Sequence, residues 1–176
     1  MRNQGYCWMA QALFVLAACL GLFAQSTTVK LSGVLNDYTP SNVSPTGPWE
    51  VRGDWTLVLK PALSQANFEA SLTMVRSDYW VTQNSSTIDD PSQRVPHTHH
   101  VTLIGGTVTS ITNGFEVSGV ATVTASGNPP PFGSSIPIVI DVTGGTNVKY
   151  SNIKLTFQSP ADGHFGTEPL EGVVRK

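Results

Sequence analysis

The chain has 176 residues, with 10 lysines and arginines against 12 aspartates and glutamates, a net charge of −2 at pH 7. With no basic run and no basic amphipathic segment, it is not built to hold nucleic acid or an anionic membrane surface. Its length suits one domain.

Arg2 is the only charged residue before Lys30; residues 8–24 are almost wholly apolar, and Gln25-Ser26-Thr27-Thr28 then turns polar. A short positive head, an apolar stretch and a small residue before a polar one are the build of a secretory signal. The expectation is a signal peptide over 1–24 that is removed, and a single domain over 25–176 that is secreted or periplasmic, with no transmembrane span after processing. A retained anchor is the competing reading, and the apolar run is near the lower end of the ~17–25 residues that span a bilayer. Leu16-Ala17-Ala18-Cys19 resembles a bacterial lipoprotein box, so lipid anchoring at Cys19 is the alternative to release after Ala24. Both cysteines, Cys7 and Cys19, lie in this leader, so the released domain has no disulfide. Its stability then rests on a hydrophobic core, and a chain of about 150 residues buries roughly two-thirds of its unfolded surface.

Period-two alternation dominates the rest and reads as strands with one buried face. Residues 28–34 form a weak first strand. In residues 49–60, Trp49, Val51, Gly53, Trp55, Leu57 and Leu59 share one face. Phe68, Ala70, Leu72 and Met74 repeat the pattern, as do Phe115 to Val123, Ile136 to Val142, and Ile153, Leu155 and Phe157. Residues 172–175 form a weak last strand. Gly105-Gly106, Asn113-Gly114 and Gly144-Gly145 read as tight hairpin turns. Residues 61–65 could make one helical turn, and Asn128-Pro129-Pro130-Pro131 is a rigid extended loop. Residues 36–48 and 81–96 read as loops, the second long enough to be functional or disordered. The fold class is therefore all-β, a single antiparallel β-barrel or β-sandwich of about eight or nine strands after the signal segment. Gly53 and Gly119 on inward faces suit the coiling of a small barrel.

One cluster carries candidate chemistry, Pro96-His97-Thr98-His99-His100. On a strand, His97 and His99 point to one face with Cα atoms about 6.5–7 Å apart, so two imidazoles can converge on one ion. Neutral imidazole ligates Zn, Cu, Ni and Fe. The fourth histidine, His164, sits in Asp162-Gly163-His164-Phe165-Gly166, a turn that would supply a third ligand if it packs beside the start of the histidine strand. Asp162, Asp141 or Glu116 could supply a fourth. His100 is on the opposite face and is the weaker candidate. The competing reading makes His99 a hydrogen-bonded histidine at the edge of the core and His100 a solvated one.

Trp55, Phe68, Leu72 and Trp80 are the candidate lining of a cavity for a small apolar ligand or glycan, although aromatic residues on a buried face more often build core. No cysteine follows the leader, and Gly-x-Ser-x-Gly and phosphate-binding glycine loops are absent from the sequence, which gives nucleophilic catalysis little support.

Leu31-Ser32-Gly33, the alternating strands over 55–59 and 68–74, His97-Thr98-His99 and the tail Pro169-Leu170-Glu171-Gly172-Val173 together resemble the layout of the CHRD domain, a β-rich extracellular module. The match runs through short motifs over about half of the released domain. Asn36-Asp37-Tyr38-Thr39-Pro40 stands where that family has Glu-Val-Pro-Pro. The resemblance implies a secreted β-module with histidine chemistry and no established enzyme activity. The function expected from the sequence is an exported binding module that takes a transition metal, Zn or Cu, through the His-x-His cluster. The alternatives are a metal-free small-ligand or glycan-binding barrel, and a metal-dependent cupin-like or cyclase-like enzyme. No residue is assignable as catalytic, and the oligomeric state is not readable.

Overall fold

A computed structural model describes residues 28–40, 48–76, 96–144 and 150–175. The leader, Cys19, Trp80 and most of the two loops at 36–48 and 81–96 lie outside them. Eight strands form a closed antiparallel barrel in sequence order: β1 (Val29–Tyr38), β2 (Trp49–Lys60), β3 (Gln65–Arg76), β4 (His97–Ile111), β5 (Gly114–Ala125), β6 (Ser135–Thr143), β7 (Asn152–Phe157) and β8 (Leu170–Val174). A 3₁₀ turn at Pro61–Leu63 joins β2 to β3, and a one-turn helix, α1 (Asp162–Phe165), lies between β7 and β8.

Each strand pairs with the next, and β8 returns to β1 through Gly33↔Val174, Val34↔Val173 and Leu35↔Gly172. That last pairing decides for a barrel over a sandwich. Alternation then sends one face of every strand inward. Val51, Leu57, Phe68, Leu72, Val117 and Ile140 are all fully buried. The outward face of β2 instead carries Glu50, Arg52, Asp54 and Lys60. An apolar interior and a charged exterior are the reverse of an outer-membrane barrel, whose lipid-facing band is apolar. Among the described residues no helix is long and apolar enough to cross a membrane.

Three boundaries differ from the sequence reading. Gly105-Gly106 does not turn the chain but lies inside β4. Between Thr102↔Thr122 and Thr107↔Ser118, β4 spends one more residue than β5, a bulge with Gly105 at φ +69°. The turn is made instead at Asn113, at φ +59°. Glycine serves the bulge because only it adopts the left-handed region without strain, and the bulge bends a 15-residue strand around the barrel. Second, β1 extends through Asn36 and Tyr38. The Asp37 carboxylate accepts the backbone N–H of Glu171 at 2.7 Å, which ties the end of β1 to β8. Third, the last strand runs from Leu170 to Val174.

Small residues set how closely the strands coil. A Cβ on Gly53 would sit 1.9 Å from the backbone oxygen of Ser71 on β3. Gly106 and Gly119 leave the room that the Leu103 side chain fills, their Cβ positions falling 2.6 and 2.8 Å from its methyl groups. Gly53→Ala must therefore push two paired strands apart, and a denaturant melt should show a loss of about 2 kcal/mol or more. An unchanged midpoint would contradict this account of the coiling.

Candidate metal centre

The antiparallel register places the start of β4, the ends of β3 and β5 and the start of β2 at one end of the barrel. His97 is opposite Met74, and His99 is opposite Leu72 on one side and Ala125 on the other. Strand alternation turns His97 and His99 inward and His100 out; His99 is buried, His97 half-buried and His100 exposed. His164 arrives from the other side on α1. The Phe165 ring is buried and stacks on Phe157 with centroids 3.8 Å apart at 13°, which pins the helix to the end of the core. The N–H groups of His164 and Phe165 both donate to the Ala161 carbonyl, and Gly166 closes the turn at φ +90°. With Phe165 held inward, its neighbour His164 meets the histidines of β4.

The three Nε2 atoms converge. His164 Nε2 is 3.0 Å from His99 Nε2 and 3.3 Å from His97 Nε2. The ligand atoms of all three lie within 4.8 Å of one another. The sequence reading required the His164 turn to pack beside the start of the histidine strand, and it does.

A tautomer follows from the outer contacts. His99 Nδ1 lies 3.2 Å from the Thr124 carbonyl oxygen, which can only accept, so Nδ1 carries the hydrogen and Nε2 presents a lone pair. A hydrogen on His164 Nε2 can then serve the contact with His99 but not the one with His97 at the same time. A cation at the centre would satisfy all three lone pairs together.

The environment keeps the His99 and His164 rings neutral. Burial first, then the nearby His164 and His97, pushes His99 from 6.5 down to about 3. Burial first, then His97, lowers His164 from 6.5 to about 4. Neutral imidazole is the ligand form.

The walls are aromatic. Trp49 meets His97 edge-to-face at 5.1 Å, and Phe132 lies 5.2 Å from His164 and 6.0 Å from His99. Phe132 was not singled out from sequence. The signal for it was available in hindsight, since a rigid triple-proline loop followed by Gly133 at φ +91° presents one aromatic side chain in a fixed direction.

The proposed carboxylate partners do not join. Among the described residues the ligand group holds the three histidines alone. Glu116 pairs with Asp141 and Asp141 with Lys154. Glu116 is nine residues along β5 from Ala125, about 30 Å from the histidine end. Both acids stand out of register with the inward-facing Phe115, Val117, Ile140 and Val142. The Asp162 carboxylate accepts the N–H of Gly163 within its own helix.

Trp55, Phe68 and Leu72 are fully buried in the barrel core, and the rings of Trp55 and Phe68 stack at 6.4 Å. Trp80 is outside the described residues. A shallow depression of about 280 Å³ lies on the outer face instead, lined by Asp54, Thr56, Glu69, Ser71 and His100 among others.

No family model, no curated protein and no solved structure matches the chain. The fold and the histidine cluster therefore carry the functional reading alone.

The lowered values of His99 and His164 make the metal-free protein acid-sensitive. Above about pH 6.5 both rings are neutral in the folded and unfolded chain, and the stability is fully present. Below that, the unfolded chain takes up protons that the folded site refuses until about pH 4 and 3, so stability is lost as the pH falls through this window. Thermal melts of the metal-free protein should drop by about 5 °C or more between pH 6.5 and 4.5. His164→Gln should flatten that drop; a wild-type melting point that does not move over this range would contradict the burial of neutral histidines.

Proposed function

We propose that this protein is an exported β-barrel that binds one divalent transition metal, Zn2+ or Cu2+, through Nε2 of His97, His99 and His164. The observation that carries the reading is the convergence of three Nε2 atoms from two separate elements, at 3.0 and 3.3 Å. Zn–N bonds of 2.0–2.1 Å in a tetrahedron set ligand nitrogens about 3.3–3.4 Å apart, close to both separations. The Thr124 carbonyl on His99 Nδ1 is the kind of outer hydrogen bond that fixes the tautomer and direction of a metal-binding imidazole.

The apolar leader over 1–24 and the lack of cysteine after it support export. A site built from imidazoles, with no thiolate to oxidise, suits an oxidising compartment. The layout resemblance to the CHRD domain is part of the same reading, because the His97-Thr98-His99 motif supplies two of the three proposed ligands. A metal-free ligand cavity around Trp55, Phe68 and Leu72 has less support, because those side chains are packed in the core. The protein is read as a binding module; turnover on a substrate would move it to the class of three-histidine metalloenzymes.

Calorimetric titration of the untagged domain, stripped of metal, should show one Zn2+ or Cu2+ per chain and a raised melting temperature on saturation. His99→Ala and His164→Ala should each weaken binding by more than about a hundredfold, since loss of an outer partner alone costs ~10–100-fold. His100→Ala should bind like wild type. Equal binding by all three variants would overturn the assignment.

A further inference from the structure

The chemistry of the ligand set says what else such a metal would take. Three neutral imidazoles leave a divalent ion with its full charge, and among the described residues no carboxylate belongs to the group. The walls nearest the histidines are Trp49, Phe132 and Phe165, none of which carries charge. In such surroundings an uncompensated charge is poorly screened and draws an anion from solution. His97 and His164 are half-buried, whereas His99 is buried, so that side of the cluster is the less enclosed one.

Trp49 supplies a second, independent observation. The residue is only 7% exposed, and its indole N–H is buried with no acceptor among the described residues. An unmade hydrogen bond on a buried donor is costly, and such groups call for a specific reason. The indole ring lies 5.1 Å from His97 and 6.5 Å from His164, so the ring that carries the donor packs against the cluster. Trp55 also has a buried indole N–H with no acceptor among the described residues, but its ring stacks on Phe68 in the core.

We infer that the metal centre is the receptor for a small carboxylate. One carboxylate oxygen takes the coordination position that the three histidines leave, and the other accepts the indole N–H of Trp49. The inference rests on the metal reading above. A carboxylate answers both demands at once, since it cancels one unit of charge and has a second oxygen for the donor.

The test uses the Co2+-loaded domain, whose visible bands report the coordination sphere, titrated with acetate and formate. Both anions should shift the bands saturably. With the protein saturated with Co2+, Trp49→Phe should weaken acetate binding about tenfold, the scale of a hydrogen bond to a charged group. Trp55→Phe should leave acetate binding as in wild type. Since Trp49→Phe could disturb the fold, the Zn2+-loaded wild type provides the second reading: its Trp49 indole proton should move downfield as acetate is added. Co2+ bound by the histidines but indifferent to acetate overturns the inference and leaves the metal reading intact. Acetate binding that neither weakens in Trp49→Phe nor moves the indole proton overturns it as well. Failure to bind Co2+ at all removes both.

Discussion

Closing eight strands into a barrel forces a choice on every inward side chain, which must pack against apolar neighbours or find a partner inside. Nearly all positions on the inner face resolve this with aliphatic and aromatic groups. His99, essentially inaccessible to solvent, does not. The closure that buries it also brings β7 and β8 around to β1, and so carries α1 and His164 across the same end of the barrel. The cluster exists because the sheet is closed. In an open sheet, β4 and the β7–β8 connection would be separated by the width of three strands.

Within that frame, each part of the site is fixed by an interaction of its own. The Thr124 carbonyl orients His99, the Phe157–Phe165 stack sets α1, and Trp49 and Phe132 wall the rings. Burial makes protonation of His99 and His164 costly, which keeps lone pairs available where they converge. Desolvated neutral bases crowded together are a poor arrangement for an empty core and a good one for a cation.

Much of this was legible in the residues. The alternation from Trp49 to Lys60 marked β2 at both ends, and the i, i+2 spacing of His97 and His99 placed them on one face before any fold was known. The misreadings share a physical cause. Gly105-Gly106 between apolar runs has the same local sequence whether it turns a hairpin or relieves a bulge; the difference is one unmatched residue, visible only against β3 and β5. Asn36-Asp37-Tyr38 looks like a polar loop because its partner, the N–H of Glu171, is 134 residues away. Periodicity could not separate barrel from sandwich, since both demand the same alternation and only the β1–β8 pairing differs. The glycines around His164 mark a turn without placing it, and its position depended on Phe165 reaching Phe157. Glu116 and Asp141 failed for the plainest reason, the register that carries them toward the other end of the barrel.

The central claim is that three imidazoles share one ion. X-ray absorption at the metal edge of the Zn2+-loaded domain tests it most directly. The account predicts a first shell near 2.0 Å with the outer scattering of three imidazole rings, falling to two in His164→Gln. A spectrum with one ring or none, or one that His164→Gln leaves unaltered, would contradict it.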